Sequence, residues 1–253
     1  LSLLVNKDLF MLFAAVLLGI SAVELATALQ AMGRRVPRIP TAIATVLAVP
    51  AAYFYGIGAA LLVALGGAVV VTLWRWVEIK REYHATADVS LRKDFLAAVF
   101  VQAYVTVLGS FAVALVAKPD GQWWTLAFLI IVVSVDTGAY VSGLNFGKHP
   151  MAPKISPKKT WEGFAGAALA AIIAATLLSI FMIGQPWWFG LVLGPILLVT
   201  ATLGDLGESH IKRTIGVKDM SSWLAGHGGF LDRLDSILPS ALVTFVIYSL
   251  VVH

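Results

Sequence analysis

Residues 163–184 read GFAGAALAAIIAATLLSIFMIG, a run of 22 residues without one charged side chain. A membrane-spanning helix needs about 20 mostly apolar residues, so this run predicts a helix that crosses a bilayer. The whole chain has the same character: 59% of its 253 residues are hydrophobic and 13% are charged. Soluble domains carry about 25% charged residues, and disordered chains carry few hydrophobic ones. The composition therefore excludes both classes.

Seven other stretches are comparable in length and apolarity. The eight predicted spans are residues 9–31, 40–57, 59–77, 95–117, 122–144, 163–184, 187–206 and 236–252. We predict an all-α integral membrane protein, a polytopic helical bundle with about eight transmembrane helices and functional cytoplasmic loops. No internal repeat or low-complexity linker divides the chain. Residues 1–253 are therefore predicted to form a single membrane domain, with N-terminal helices in 1–117 and C-terminal helices in 118–253.

Basic residues are distributed unevenly between the loops. Sixteen of the 18 lysines and arginines fall in alternate loops, and the remaining loops hold only Lys7 and Lys118. Because cytoplasmic loops carry the excess of Lys and Arg, the basic side is predicted to be cytoplasmic. The predicted location is the inner (cytoplasmic) membrane, with the active site facing the cytoplasm. The same count places Leu1 outside, which predicts a further helix upstream of this sequence.

The segment 205–235 is one of two long polar loops on the basic side. If the seventh span continues as a helix, Asp205 and Glu208 share one face, because they are separated by i, i+3. Asp232 and Asp235 have the same spacing just before the last span. Two carboxylate pairs on separate helices can converge on a divalent cation, and their hard oxygen atoms suit Mg²⁺. A solvated loop of mixed charge is the simpler alternative.

A glycine pair interrupts this segment directly after His227. Glycine backbone at Gly228 and Gly229 can approach a phosphate closely, because no Cβ stands in the way. An ordinary turn would use the same residues, so the pair taken alone favours neither role.

The second polar loop, residues 145–162, follows an acid in the fifth span. Asp136 lies in an otherwise apolar stretch, where an ionisable side chain is costly and is a functional candidate by default. An interhelical hydrogen bond is the alternative role. The loop itself supplies polar side chains at Lys154, Ser156, Lys158 and Lys159. Contact with anionic lipid is as reasonable a role for these lysines as catalysis.

Glu24 is a further acid within a predicted span, and it has no obvious partner in the sequence. We predict a packing or supporting role for it rather than a catalytic one. The chain has no cysteine, which excludes thiolate metal sites and a cysteine nucleophile.

A long pattern of fixed spacing runs through the second half of the chain. It reads Ser209-x-x-Lys212-Arg213-x4-Lys218-Asp219-x-Ser221-x2-Leu224-x-Gly226-His227-Gly228-Gly229-x2-Asp232-Arg233-x-Asp235. A shorter upstream pattern comprises Asp136-Thr137-Gly138-Ala139-Tyr140, Phe146-Gly147-Lys148 and Ser156-Pro157-Lys158-Lys159-Thr160-Trp161-Glu162-Gly163. Together these patterns resemble the signature of the phosphatidate cytidylyltransferases, also called CDP-diacylglycerol synthases. The resemblance covers roughly residues 130–240 and is far more specific than a lone glycine-rich turn.

The resemblance implies that CTP and phosphatidate react to give CDP-diacylglycerol and pyrophosphate, with Mg²⁺ and, as an open point, a second cation. The lipid phosphate is already an anionic nucleophile, so the site must mainly position the reactants and neutralise charge. The expected metal ligands are Asp205, Asp232, Glu208 and Asp136. The expected catalytic residues are Asp232, Asp235, Asp219 and Lys218. The expected substrate-binding residues are Lys154, Ser156, Lys158, Lys159, Lys212, Arg213, His227, Gly228, Gly229 and Arg233.

Two alternative functions stay open at this point. One is another CTP-dependent membrane lipid enzyme, such as a polyprenol-type kinase or an archaeal-lipid cytidylyltransferase. The other is a transporter, which is disfavoured because the polar groups crowd into two loops rather than at the midplane of broken helices. The predicted partners are CTP, phosphatidate and membrane lipid, without nucleic acid. Small residues such as Gly163 and Ala167, at four-residue spacing, are also compatible with a homodimer.

Overall fold

The computed structural model describes residues 2–81, 90–221, 223 and 228–252, most of which are helical. The α-helices are α1 Ser2–Val5, α2 Lys7–Ala28, α3 Arg38–Tyr55, α4 Ile57–Arg81, α5 Leu91–Val101, α6 Leu108–Val116, α7 Gly121–Phe146, α8 Trp161–Phe181, α9 Trp187–Ile215 and α10 Ile237–Val251. A π-helical segment, Gln102–Val107, joins α5 to α6. Short 3₁₀ helices lie at Leu29–Met32 and Leu231–Arg233.

Six helical segments in the described part of the chain are long and apolar enough to cross a membrane. They are Lys7–Met32, Ile57–Arg81, Leu91–Val116, Gly121–Phe146, Trp161–Phe181 and Trp187–Ile215. The predicted all-α polytopic membrane protein is confirmed, but the predicted number of spans falls from about eight to six. The helix α10 has 15 residues, or about 22 Å, which is less than the roughly 30 Å of a bilayer core. The helix α3 forms as predicted, but its 18 residues include Arg38 and two prolines, which lower its mean hydropathy.

The chain forms two compact units. Unit 1 comprises Leu1–Ala117 and Thr214–Arg233, and unit 2 comprises Lys118–Arg213 and Leu234–His253. Residues 214–233, which follow most of α9 in sequence, therefore pack with the N-terminal helices. The description of the chain as a single membrane domain stays a prediction.

Small residues hold the helices of unit 1 together. The helix α3 packs against α2 and α4, and its Ala44, Ala48 and Ala52 recur every fourth residue and are almost completely buried. On α4, a methyl group added at Gly67 would lie only 2.5 Å from the Cβ of Ala44. Close approach of helix backbones through small side chains is the usual basis of helix packing in lipid.

Unit 2 has the same kind of contact between α7 and α8. A methyl group at Gly138 would lie 2.8 Å from the Cβ of Ala170, and one at Gly163 would lie 2.9 Å from the carbonyl oxygen of Ala139. Ala167 is 1% exposed in the same contact. Since Gly163 and Ala167 serve packing within the chain, their spacing gives no argument for a homodimer, which stays a prediction.

The predicted loop 145–162 contains a β-hairpin. Its strands are β1 Pro150–Ala152 and β2 Ser156–Thr160, which pair antiparallel with an irregularity in the register. Glu162, at the start of α8, binds the backbone just before β1. Its Oε2 accepts hydrogen bonds from the backbone N–H groups of Lys148 (3.1 Å) and His149 (3.2 Å). The hairpin is therefore fixed at the entrance of α8.

Candidate active site

The helix α9 carries predicted site residues on its last turns. Because α9 continues unbroken to Ile215, Asp205 and Glu208 lie on one helix face, as predicted. The hydroxyl of Ser209 donates to Oδ1 of Asp205 at 3.4 Å. The ammonium of Lys212 lies 3.7 Å from Oε1 of Glu208, whose side chain is completely buried. This end of α9 is thus an ordered polar face rather than a solvated loop.

The hairpin meets this face of α9 within unit 2. Lys159 of β2 forms an ion pair with Asp205. Arg213 donates from Nε to the carbonyl oxygen of Ile155 at 3.4 Å. Two polar segments that are about 50 residues apart in the sequence are therefore neighbours, as expected for residues that share one function.

Two further carboxylates join Asp205 and Glu208. Asp235 lies beside Asp205 and Glu208, and Asp136 interacts electrostatically with Asp205 and Asp235. We call these four side chains, Asp136, Asp205, Glu208 and Asp235, the acidic cluster. Burial raises the pKa of Asp235, and the negative charge of Asp205 raises that pKa further, whereas the neighbouring Glu208 side chain and the hydrogen bonds from Ser236 oppose both effects.

The acidic cluster has the donor chemistry of a magnesium site. Its oxygen atoms are hard ligands, and among the described residues Lys159 and Lys212 form ion pairs with two of its four carboxylates, Asp205 and Glu208. No group of three or more His, Asp or Glu side chains within the described residues is arranged to hold a metal ion. Mg²⁺, however, commonly takes one or two carboxylates and completes its shell with water and substrate phosphates. The residues therefore fit Mg²⁺ without needing a cage of protein ligands.

Asp232 has different surroundings, in unit 1. Its Oδ2 accepts hydrogen bonds from the backbone N–H groups of Gly229 (2.7 Å) and Met220 (3.0 Å). Gly228 has a φ of +78°, and a methyl group there would lie 2.8 Å from the same oxygen. The turn thus requires glycine at 228. In this structure Asp232, predicted as a metal ligand, uses one oxygen to hold the loop.

The predicted pairing of Asp232 with Asp235 on one helix face is wrong. Asp232 lies in the 3₁₀ helix Leu231–Arg233, and α10 begins only at Ile237. Asp232 also belongs to unit 1, whereas Asp235 belongs to unit 2. The spacing of i, i+3 brings side chains together only along continuous helix, which is absent here.

The remaining predicted residues lie at accessible positions. Lys154, Lys158, Arg213, Lys218, Asp219 and Arg233 are exposed, and Ser156 is half-buried. His227 lies outside the described residues. No contact of these side chains tests their predicted roles in substrate binding or catalysis, so the roles stay predictions.

Glu24 forms more hydrogen bonds within unit 1 than its position in an apolar span indicated. It is 1% exposed, and its carboxylate accepts hydrogen bonds from Ser221, Phe230 and Leu231. An acid in an apolar span was the only signal in the sequence. The partners are about 200 residues further along the chain, beyond the reach of any local pattern.

Comparison with known proteins relates the whole chain to one family. The sequence profile of the cytidylyltransferase family matches residues 1–251. A phosphatidate cytidylyltransferase of Mycobacterium bovis is 40% identical over 234 residues, which cover 90% of this chain and 76% of that protein. A protein of the same name from Mycobacterium leprae is 41% identical over 237 residues, covering 90% of this chain and 75% of its own length. The resemblance drawn from the sequence patterns is confirmed.

Proposed function

Because the chain belongs to the cytidylyltransferase family, we propose that it converts CTP and phosphatidate into CDP-diacylglycerol and pyrophosphate in phospholipid biosynthesis. The names of its relatives, both phosphatidate cytidylyltransferases, support this reaction. The structural observation that carries the proposal is the ion pair between Lys159 and Asp205, which joins the basic hairpin to the acidic cluster. Cations beside carboxylates, at a membrane boundary, suit the joining of a lipid phosphate to a nucleoside triphosphate.

The chemistry places few demands on proton transfer. An oxygen of the lipid phosphate attacks the α-phosphorus of CTP, and the bond from that phosphorus to the oxygen bridging the β-phosphate breaks. Pyrophosphate leaves with the electron pair of the broken bond. Since the nucleophile is already an anion, no general base is needed. The barrier comes from the approach of two anions and from the charge that develops on the leaving group, both of which fixed cations reduce.

Specific residues in unit 2 suit these tasks. Asp205 and Asp235, with Glu208 and Asp136 beside them, would hold Mg²⁺, which neutralises charge on the transferring phosphate when bound. Lys159 is a compact cation whose present partner is Asp205, so a phosphate can compete for the same ammonium group. Lys154 and Lys158 lie on the same hairpin and are exposed, which leaves them accessible to the lipid phosphate or to CTP.

We also propose that this site faces the cytoplasm, on the strength of the basic loops. The helix α7 has 26 residues, or about 39 Å of length, enough to separate its two ends across a bilayer. The chain has no cysteine, so Pro157→Cys and Lys118→Cys each create a single labelling site beyond opposite ends of α7. A membrane-impermeant maleimide added to intact cells should label the cysteine at 118 and not the one at 157. The reverse pattern would contradict the orientation.

The reaction itself is tested with purified protein in detergent, phosphatidate, Mg²⁺ and CTP labelled at the α-phosphate. We expect label in the lipid and release of pyrophosphate. Release of labelled CDP with unlabelled, newly phosphorylated lipid, measured in parallel on a lipid alcohol, would indicate a kinase instead. Absence of both products from folded protein would contradict an enzyme of either kind. An archaeal-type isoprenoid lipid, supplied as a third substrate, separates acyl from isoprenoid specificity.

A further inference from the structure

A second polar cavity lies in unit 1, where the 3₁₀ helix after α2, the start of α3 and the end of α4 line one space of about 420 Å³. All its lining residues fall between Gln30 and Glu78, within unit 1. None of them belongs to the acidic cluster. The volume lies within the range of about 300–1,000 Å³ that is usual for small-ligand sites. We call this space the arginine cavity.

Positive charge predominates in the arginine cavity. Among the described residues, its lining includes three arginines, at positions 35, 38 and 75, and one acid, Glu78. Arg38 donates from Nη2 to Oε1 of Gln30 at 2.9 Å. Because the amide of Gln30 is neutral, this bond orients the guanidinium without compensating its charge. The cavity therefore suits an anion.

Arg75 adds a buried, fixed cation to this lining. It is 2% exposed. Its Nε donates to Asp94 at 3.0 Å, and its Nη1 donates to Glu78 at 3.2 Å. A guanidinium carries more N–H donors than these two bonds use. The two carboxylates thus hold the guanidinium in one orientation at the cavity wall, where it has donors for a further acceptor.

The start of α3 contributes in the same sense. The helix begins at Arg38, and the preceding Pro37 forms no side-chain hydrogen bond that caps it. The first N–H groups of a helix have no partner within the helix, and the helix dipole places partial positive charge at that end. Both effects favour an anion beside the arginines.

The rim of the arginine cavity is apolar and lies near a membrane boundary. Trp74 and Ile39, which also line the cavity, are 50% and 69% exposed. Trp74 lies seven residues before the end of α4 at Arg81, or about 10 Å along a helix that is long and apolar enough to cross a membrane. Tryptophan is enriched at this depth of a bilayer. An anion that also has acyl chains would contact both the arginines and this rim.

We propose that the arginine cavity binds the phosphate head group of an anionic phospholipid, with Arg38 and Arg75 at the phosphate and Trp74 and Ile39 against the acyl chains. Basic pockets between transmembrane helices bind anionic head groups in other membrane proteins. The inference goes beyond the proposed function, because the lipid at this site is bound and not converted.

The test measures the thermal midpoint of the full chain in a neutral detergent during titration with dioctanoyl phosphatidylglycerol. A chelator is present, and CTP and phosphatidate are absent. A ligand of the folded state raises the midpoint, and the dose dependence gives its affinity. We expect a saturable rise with phosphatidylglycerol and a much smaller one with dioctanoyl phosphatidylcholine or inorganic phosphate. An equal rise with phosphatidylcholine, or with inorganic phosphate, would overturn the anionic lipid as the occupant.

Arg38→Gln and Arg34→Gln form a matched pair of variants. Both remove one positive charge from the same segment, but Arg34 does not line the cavity. We expect Arg38→Gln to weaken the affinity for phosphatidylglycerol about ten- to a hundredfold, the equivalent of a lost hydrogen bond to a charged group. Arg34→Gln should weaken it by less than about fivefold, through diffuse attraction alone. Equal weakening in the two variants would overturn the site.

Glu78→Gln should change the affinity in the opposite direction. The amide oxygen can still accept from Nε1 of Trp74, which donates to Oε1 of Glu78 at 2.9 Å. Loss of the negative charge removes repulsion of the phosphate, so we expect binding about three- to tenfold tighter. Unchanged or weaker binding would overturn the inference. Because no turnover enters these measurements, failure of the proposed function would leave their result unaffected.

Discussion

The carboxylates of unit 1 and those of unit 2 have opposite surroundings. In unit 1, Glu24 and Asp232 accept hydrogen bonds from backbone N–H groups of a single loop. In unit 2, Asp205 and Asp235 lie beside other acids, and the charge of Asp205 raises the pKa of Asp235. A carboxylate that accepts hydrogen bonds from N–H groups stabilises the folded protein. Carboxylates that lie beside one another destabilise it unless a cation binds between them. The comparison indicates where a ligand is expected.

Removal of divalent cations should have the largest effect. We expect a chelator to lower turnover more than about a thousandfold, the equivalent of about 4 kcal/mol of lost charge stabilisation at the transferring phosphate. Added Mg²⁺ should restore turnover and raise the thermal midpoint, because a ligand that binds only the folded state stabilises it. Full turnover in the chelator would contradict the magnesium assignment of the acidic cluster.

Asp235→Asn should separate activity from stability. We expect turnover to fall about 10²- to 10³-fold, because one ligand to Mg²⁺ is weakened. Since the pKa of Asp235 is raised in the folded state, its ionised form lowers the free energy of unfolding at pH values above that pKa. The uncharged variant should therefore be at least as stable as the original near pH 7. Thermal midpoints and turnover are measured on the same preparation, and a large loss of stability would show that the charge of Asp235 supports the fold.

The apolar runs predicted the helices, and the fixed spacing of the signature predicted the family. The seventh span was predicted to end near residue 206, and the shared face of Asp205 and Glu208 followed from the i, i+3 spacing only if the helix continued, as α9 does to Ile215. The hairpin did not follow, since β1 has only three residues and β2 five. The bonds of Glu24 could not be predicted either, because they join residues about 200 positions apart. Local periodicity carries no information on such a contact.

The buried ion pair of Arg75 and Asp94, also in unit 1, allows a test of stability that does not involve the candidate active site. Asp94 accepts from Nε of Arg75 at 3.0 Å and from the backbone N–H of Arg35 at 3.0 Å. Arg75 is 2% exposed. We expect Asp94→Ala to lower the free energy of unfolding by about 3–5 kcal/mol, because it leaves a buried charge without its main partner. Turnover per folded molecule should be preserved.

Glu78 provides the matched control for that prediction. It bonds to the same arginine at 3.2 Å, but its side chain is 39% exposed. Its removal in Glu78→Ala should therefore change the free energy of unfolding by less than about 1 kcal/mol. Denaturant unfolding of both variants in one detergent gives the comparison. Equal losses in the free energy of unfolding would show that burial does not determine how much each ion pair contributes to stability.

Gly228→Ala should have a smaller effect on stability than Asp94→Ala and should act through Asp232. Gly228 has a φ of +78°, and the added methyl group would lie 2.8 Å from Oδ2 of Asp232. Gly216 has a similar φ of +86° with open space around it, so Gly216→Ala isolates the backbone strain, about 1–2 kcal/mol in each variant. Only the methyl group of Gly228→Ala also displaces Oδ2 of Asp232, which accepts hydrogen bonds from backbone N–H groups of the loop. Gly228→Ala should therefore lose more turnover than Gly216→Ala. Equal turnover in the two variants would mean that the contact with Asp232 does not position the loop.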